Sequence, residues 1–189
     1  MKIEIKSRLT GKVIISEEHE SIRDCLEKNR GANLGGANLK GAYLGDAYLG
    51  GAYLGGANLR GAYLRGAYLG GAYLGGAYLG GAYLRGAYLG GADLGGAYLR
   101  DADLRGAYLR DADLRDAKGY VNSHDIFAEI IRRQRVDLFV EAEWVAIAQI
   151  IIHRLCWDSI RKRFSNVMPS IFKKLADAGF GEWLIYWEK

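Results

Sequence analysis

The chain has few residues of the types that build metal, redox or nucleophilic sites. It contains only 2 cysteines and 3 histidines in 189 residues. Cys25 and Cys156 stand alone and form no metal or redox motif, which indicates a reducing compartment. His19, His124 and His153 lie far apart, so no His/Cys/Asp cluster has the spacing of metal ligands. We therefore expect no metal and no cofactor.

Long hydrophobic runs are also missing. The longest apolar stretch, residues 144–152, is interrupted by Gln149 and is too short to cross a bilayer. The first ten residues, MKIEIKSRLT, lack the apolar core of a signal peptide. These features predict a cytoplasmic protein that makes no use of a membrane.

No segment is dominated by charge of one sign, although the net charge is +4. Residues 1–30 carry seven basic and six acidic side chains, residues 31–117 eight and seven, and residues 118–189 eleven and nine. This balance disfavours nucleic acid as the partner, because binding to phosphates needs a concentrated basic surface.

Catalytic motifs are absent as well. Ser123, His124 and Asp125 are the residue types of a hydrolytic triad, but neighbours at the start of a helix do not face one another. Ser123 is expected to cap that helix instead. The many glycines form no phosphate-binding loop, since no GKS or GKT follows them. We expect a protein that is not an enzyme.

What the chain has instead is a strict period of five. Alanine recurs at every fifth residue from Ala32 to Ala117, and leucine from Leu34 to Leu114. This period fits neither a helix, at about 3.6 residues, nor a flat strand, at about two. The alanine and leucine should face inward and the residue between them outward. One unit cannot bury its own leucine, so the units must coil and stack into a solenoid.

The solenoid must turn in every repeat, and 23 of the 27 glycines lie between Gly31 and Gly106. Glycine adopts the positive φ of a type II turn without steric cost. We expect the residue directly after each leucine to set the turn. Glycine there, as at Gly35, Gly50, Gly70 and Gly90, predicts type II, and arginine, as at Arg60, Arg65 and Arg85, predicts another geometry.

Seventeen consecutive copies, from GANLG at Gly31 to DADLR ending at Arg115, resemble the pentapeptide-repeat family, whose pattern is A(D/N)LXX. The resemblance implies an all-β solenoid, a right-handed quadrilateral β-helix with four pentapeptides per coil. The chain departs from the family pattern before the leucine, where tyrosine replaces Asn or Asp in eleven of the seventeen repeats.

On a four-sided coil these tyrosines form columns, with rings about 4.8 Å apart. One column is complete (Tyr48, Tyr68, Tyr88 and Tyr108), and a second ends at Asp103 (Tyr43, Tyr63 and Tyr83). The rings can stabilise the coils by offset stacking, about 0.5–1.5 kcal/mol per pair. Alternatively, they form a platform that binds a sugar or nucleic-acid bases.

Two charged sets are further candidates for an interaction surface. Arg65, Arg85 and Arg105 form a possible basic column beside the tyrosines, which is a conceivable phosphate track. Arginine and aspartate also crowd residues 100–116. They either bind a charged partner or form exposed ion pairs between adjacent coils, each worth less than about 1 kcal/mol.

The flanks predict a cap and a helical module, which divides the chain into residues 1–30, 31–117 and 118–189. Residues 3–16 read as a hairpin that turns at Leu9-Thr10-Gly11, and Ser21 can cap a helix that runs to about Asn29. Beyond residue 117 we expect helices near residues 123–134, 137–153, 157–164 and 169–179. The apolar tail, residues 182–189, should pack on this module, cover the last coil or form a homodimer.

The leading functional hypothesis is a scaffold that presents a rigid surface to a protein partner, as a monomer or as a homodimer through the helical module. Some pentapeptide-repeat proteins mimic DNA and modulate DNA gyrase, which makes gyrase mimicry the alternative. That activity relies on an acidic rod, whereas this coil has balanced charge. Binding of polysaccharide or single-stranded nucleic acid by the tyrosines is a third possibility.

Overall fold

The computed structural model describes residues 1–120, 123–153, 155 and 157–187, with the backbone alone for residues 185 and 186. Cys156 lies outside this range. The chain forms two compact units, Met1–Tyr120 and Val121–Lys189. The first unit contains both the N-terminal segment and the repeats. The three-part division at residues 30 and 117 stays a prediction.

The repeats pair with one another through parallel bridges 20 residues apart, from Asn33↔Tyr53 to Tyr98↔Lys118. Backbone hydrogen bonds continue this pairing on both sides of each bridge. The Tyr68 N–H donates to the Ala47 carbonyl at 2.8 Å, and the Leu69 N–H donates to the Tyr88 carbonyl at 2.7 Å. The block is therefore a stacked all-β solenoid, held between coils by a ladder of backbone hydrogen bonds.

The interior of the solenoid consists of the leucines and alanines of the repeat. All seventeen leucines are at most 4% exposed, and most of the alanines are buried. The tyrosines point outward. The most exposed of those in the repeats is Tyr43, at 72%. The predicted assignment of inward and outward positions is confirmed.

The predicted position of the turn was wrong by one residue. Positive φ occurs at the second residue after each leucine, never at the first within the repeats. The N–H of each following alanine donates to the leucine carbonyl at 2.9–3.2 Å, which is the hydrogen bond of a type II turn. Arg65 and Gly70 therefore occupy equivalent positions in the same kind of turn.

The sequence contains the signal for this register. The second position after leucine holds only glycine or aspartate, whereas the first also holds arginine or lysine. Asp46, Asp101, Asp111 and Asp116 have φ between 55° and 60°, a region that aspartate tolerates better than most residues. The two residue types that accept positive φ mark the position that needs it.

The N-terminal segment forms the predicted hairpin and helix. Strand β1 (Lys2–Lys6) pairs antiparallel with β2 (Val13–Glu18), and helix α1 spans Ile22–Lys28. The Ser21 hydroxyl caps α1 by accepting from the Asp24 N–H at 3.0 Å.

This segment satisfies backbone groups of the first coil. The Lys6 carbonyl accepts from the Asn38 N–H at 2.8 Å. The Glu27 carboxylate accepts from the Tyr48 N–H at 2.8 Å, where an inner coil uses the carbonyl of the residue 21 positions earlier. A side chain thus replaces the missing coil, which blocks one edge against further pairing.

The second unit contains five helices within the described residues. They are α2 (His124–Arg132), α3 (Glu141–His153), α4 (Trp157–Arg163), α5 (Met168–Asp177) and α6 (Glu182–Trp187). The Ser123 hydroxyl caps α2 by accepting from the Ile126 N–H at 3.2 Å, as predicted. Helix α3 begins four residues later than predicted, because residues 137–140 form turns and bends rather than helix.

The apolar tail packs within its own unit. Trp183 on α6 is fully buried, with its ring centroid 5.2 Å from that of Phe127 and 6.4 Å from that of Phe172. Self-packing of the tail is confirmed for this residue. The side chains of Ile185 and Tyr186 lie outside the described residues. Dimerisation through this unit and its docking on the last coil stay predictions.

Candidate interaction surface

Stacked tyrosines form columns on the outside of the solenoid. Six pairs of rings, each from residues 20 apart, have centroids 4.7–4.9 Å apart and interplanar angles of 2–15°. The spacing of the coils therefore sets the spacing of the rings. The predicted columns are present as Tyr68–Tyr88–Tyr108 and Tyr43–Tyr63–Tyr83, and a backbone bridge aligns Tyr48 with the first of them.

This geometry limits what the tyrosines can bind. Centroids 4.7–4.9 Å apart leave no room for a base or a sugar ring between neighbours. The faces of the inner rings are covered by other rings, and their edges remain at the surface, where Tyr88 is 37% exposed. A stacked column offers hydroxyl groups and ring edges, which suits a protein surface better than an intercalating ligand.

Glycine makes room for one of these columns. A Cβ on Gly70 would lie 2.8 Å from Cε1 of Tyr88, and one on Gly90 would lie 2.9 Å from Cε1 of Tyr108. Both distances are shorter than side chains tolerate, so the rings occupy space that a larger residue would fill. This explains why glycine follows the leucines of these repeats.

The predicted arginine column lies at the corner that precedes the Tyr68 column. Arg65, Arg85 and Arg105 are exposed, but the column is bordered by carboxylates at both ends. Arg105 donates to both oxygens of Asp103, at 2.8 and 2.7 Å, and its guanidinium lowers the pKa of Asp103 to about 2. The Asp46 carboxylate lies beside Gly66, which follows Arg65. These carboxylates reduce the positive potential along the arginine column, which weakens the case for a phosphate-binding track there.

The charged residues between Arg100 and Asp116 form ion pairs, but each pair joins residues one or two apart in the sequence and so lies within one coil. They join Arg100 to Asp101, Arg105 to Asp103, Arg110 to Asp111 and Arg115 to Asp113. The expected pairing between adjacent coils was wrong for these four, because residues one or two apart meet before residues of the next coil can. The charges are also spread around the coil rather than gathered on one face.

The structure also brings together a second set of cations that the sequence analysis did not predict. The Arg8 guanidinium lies 4.3 Å from the centre of the Tyr78 ring, and the Arg60 guanidinium lies 4.9 Å from it. Lys118 lies over Tyr98 at 5.4 Å. Backbone pairing stacks Lys40 and Arg100 along the same side. We call Arg8, Lys40, Arg60, Arg100 and Lys118 the basic face.

His124, one of the candidate catalytic residues, has a structural role. A ring nitrogen of His124 lies 2.7 Å from the Leu155 carbonyl oxygen, and the ring stacks on Trp157 at 5.3 Å. Among the described residues, no three His, Cys, Asp or Glu side chains are arranged to hold a metal ion. The helices in the same part of the chain include none with the length and apolar character needed to cross a membrane.

Coils joined by parallel bridges and faced by tyrosine columns define a β-solenoid repeat protein. The sequence model for pentapeptide repeats matches residues 30–66, 42–81 and 77–116, with 8 copies. Residues 30–116 therefore consist of pentapeptide repeats, which implies a right-handed β-helical solenoid for this part of the chain. Members of this family are generally non-enzymatic repeat proteins of structural or unknown role.

Solved structures of other pentapeptide-repeat proteins resemble the chain over less than half of its length. HetL from the cyanobacterium Nostoc sp. strain PCC 7120, a protein involved in heterocyst differentiation regulation, is 45% identical and has a TM-score of 0.42; the match covers 42% of this chain and 37% of HetL. Rfr23 from Cyanothece 51142 is 36% identical, with coverages of 43% and 53% and a TM-score of 0.40.

A third pentapeptide-repeat structure, alr5209 from Nostoc, is 44% identical with a TM-score of 0.39, and the match covers 40% of this chain and 62% of that protein. In each of the three comparisons the chain spans less than two thirds of the related protein's length. No curated protein matches the chain.

Proposed function

We propose that the solenoid is a rigid, four-sided scaffold, without enzymatic activity, whose flat faces bind a protein partner. Bridges 20 residues apart support a coil of four pentapeptides and hence four sides. The same turn at every corner and leucines buried at every level make each side a regular, closely supported surface. Rigid surfaces bind with little loss of conformational entropy.

The stacked tyrosine columns are the observation that carries this proposal. Tyrosine supplies large contact area and a hydroxyl at low entropic cost, and it is enriched at protein interfaces. Columns with fixed 4.7–4.9 Å spacing present an ordered set of such contacts. Tyr48, Tyr68, Tyr88 and Tyr108, with Arg65, Arg85 and Arg105 at the adjoining corner, remain a proposed docking surface.

Gyrase mimicry gains no support from this surface. A DNA mimic presents an acidic field, whereas this block has eight basic and seven acidic residues. Asp101, Asp103, Asp111 and Asp113 are each paired with an arginine, which reduces the field further. We expect no inhibition of gyrase supercoiling at micromolar protein, and inhibition there would reverse the order of the two hypotheses.

Proximity labelling in the host cell tests the scaffold proposal face by face. The full chain is compared with four double variants that each change one side: Tyr68→Ser with Tyr88→Ser, Tyr63→Ser with Tyr83→Ser, Tyr53→Ser with Tyr73→Ser, and Lys40→Gln with Arg60→Gln. We expect at least one labelled protein to be lost with one variant and retained with the other three. If all labelled proteins survive every variant, the faces do not recruit a partner.

A further inference from the structure

We propose that the basic face binds an acidic segment of a protein partner. This inference rests on the proposed scaffold function and adds to it a second face and the chemistry of the partner. The face joins the N-terminal cap to successive coils, because Arg8 comes from the cap and the other four cations come from the repeats or the residue after them.

The charges on this face are not neutralised within the solenoid. Arg8, Lys40, Arg60 and Lys118 make no ion pair within residues 1–120, and only Arg100 has one, with Asp101 at 3.6 Å. The outward positions on the same side of the coil hold Asn38, Asn58, Tyr78 and Tyr98, which carry no charge. The repeat block as a whole has nearly balanced charge, but this side carries a local excess of positive charge, because residues 20 apart in the sequence lie on the same side of the coil.

The two arginines are already held in place. Nε of Arg8 donates to the Gly56 carbonyl at 2.8 Å, and both guanidinium groups lie over the ring of Tyr78. A guanidinium that stacks on a ring keeps N–H groups at its edge for a carboxylate. Because the side chains are ordered before binding, pairing them with carboxylates costs less conformational entropy than pairing free surface arginines.

The same contacts favour an acidic peptide over nucleic acid. Tyr78 and Tyr98 stack on each other at 4.8 Å, while Arg8 and Arg60 lie over the Tyr78 ring and Lys118 lies over the Tyr98 ring, so these rings offer little surface to bases. Nucleic-acid affinity would then depend on phosphate contacts alone, and five cations make a short track. The carboxylates of an acidic peptide can bind to the guanidinium and ammonium groups directly, without access to the faces of the tyrosine rings.

Fluorescence anisotropy with a labelled oligoglutamate peptide measures this binding. The double variant Lys40→Gln, Arg60→Gln removes two charges from the basic face. Its matched control, Arg65→Gln with Arg85→Gln, removes two charges from equivalent repeat positions on the adjoining side. We expect the first variant to raise the Kd roughly threefold to tenfold and the control to change it less than about twofold. Thermal melts confirm that both variants are folded.

A gain of binding provides the converse test. A Cβ on Gly80 would meet the Arg100 carbonyl at 3.5 Å and Cγ of Arg60 at 4.0 Å, which are ordinary contacts. Gly80→Arg therefore adds a cation to the basic face without strain. Gly45→Arg, where a Cβ would meet only the Arg65 carbonyl at 3.7 Å, adds one to the adjoining column. We expect the first to lower the Kd by about twofold or more and the second to leave it nearly unchanged.

Three results would overturn the inference: no binding of oligoglutamate by the natural chain, equal effects of the two double variants, or tighter binding of a single-stranded oligonucleotide of equal charge. In all three cases the scaffold proposal is judged separately, by whether a Tyr→Ser variant of another face loses a labelled protein.

Discussion

Replacing Gly70 by alanine tests whether the absence of a side chain allows the tyrosine column to form. The added Cβ would lie 2.8 Å from Cε1 and 3.1 Å from Cδ1 of Tyr88, so the ring must move. Tyr88 is the middle ring of its column, with centroids 4.7 Å from Tyr68 and 4.8 Å from Tyr108. Moving it out of line therefore disrupts two stacks.

The expected loss follows from these two stacks. Each contributes about 0.5–1.5 kcal/mol, so losing both lowers the free energy of unfolding by about 1–3 kcal/mol. Alanine also lowers the conformational entropy of the unfolded chain, which raises the free energy of unfolding by about 0.4–1 kcal/mol. The net destabilisation should be about 0–2.6 kcal/mol, with a midpoint of about 1.3 kcal/mol, measured by urea unfolding followed by circular dichroism.

Two other glycines separate this clash from general effects of alanine. At Gly55 a Cβ would meet only the Gly75 carbonyl, at 3.6 Å, so Gly55→Ala should stabilise the protein by about 0.4–1 kcal/mol. At Gly71 there is open space but φ is +64°, so Gly71→Ala should cost about 1–2 kcal/mol through backbone strain alone. Equal stability of Gly70→Ala and Gly55→Ala would refute the steric role of the ring.

Three further predictions concern the core, the cap and the helical unit. Leu74→Ala removes a buried side chain and should cost about 2–5 kcal/mol, clearly more than Tyr68→Ala; melts that coincide would contradict the inward and outward assignment. Glu27→Ala leaves the Tyr48 N–H to water, because this hydrogen bond is exposed, and should cost about 0.5–1.5 kcal/mol. That hydrogen bond is the main cause that lowers the pKa of Glu27 below 4.5, so its stabilisation is complete above pH 4.5 and disappears as pH falls through the lowered pKa. Glu27→Gln should flatten this part of an acid titration, and an unchanged profile would exclude the carboxylate as its source. Deleting residues from 182 onward removes the buried Trp183 and should destabilise the helical unit even in a monomer, whereas a deletion that melts unchanged would eliminate the packing role. Light scattering of the full chain at high micromolar concentration separates monomer from homodimer.

Much of the fold could be predicted because its causes are local and repeated. The period of five identified inward leucines, outward tyrosines and a turn in every repeat. The cap signals of Ser21 and Ser123 predicted two helix starts, which the structure confirms. The turn register was missed although the restriction to glycine and aspartate at one position was visible. The prediction assigned the turn to the residue directly after leucine, whereas the position that excludes arginine is the next one.

The candidate surface was less accessible from the sequence, because it depends on which residues meet across coils. Columns at a spacing of 20 were expected from the resemblance, but Arg8 could not be placed over Tyr78, 70 positions away. Nor does any local pattern indicate that Glu27 accepts from the Tyr48 N–H, since that bond exists only when the cap lies on the first coil.

The sequence by itself determined a stacked solenoid with a leucine interior, because a five-residue unit cannot bury its leucine except against copies of itself. Tertiary structure alone decided how the charges are distributed. Asp103 meets Arg105 within one repeat, whereas Arg60 and Arg8 gather on Tyr78 from a repeat and from the cap. The physical reason is that charge interactions depend on distance in space, and the coil brings residues 20 apart to within one strand spacing.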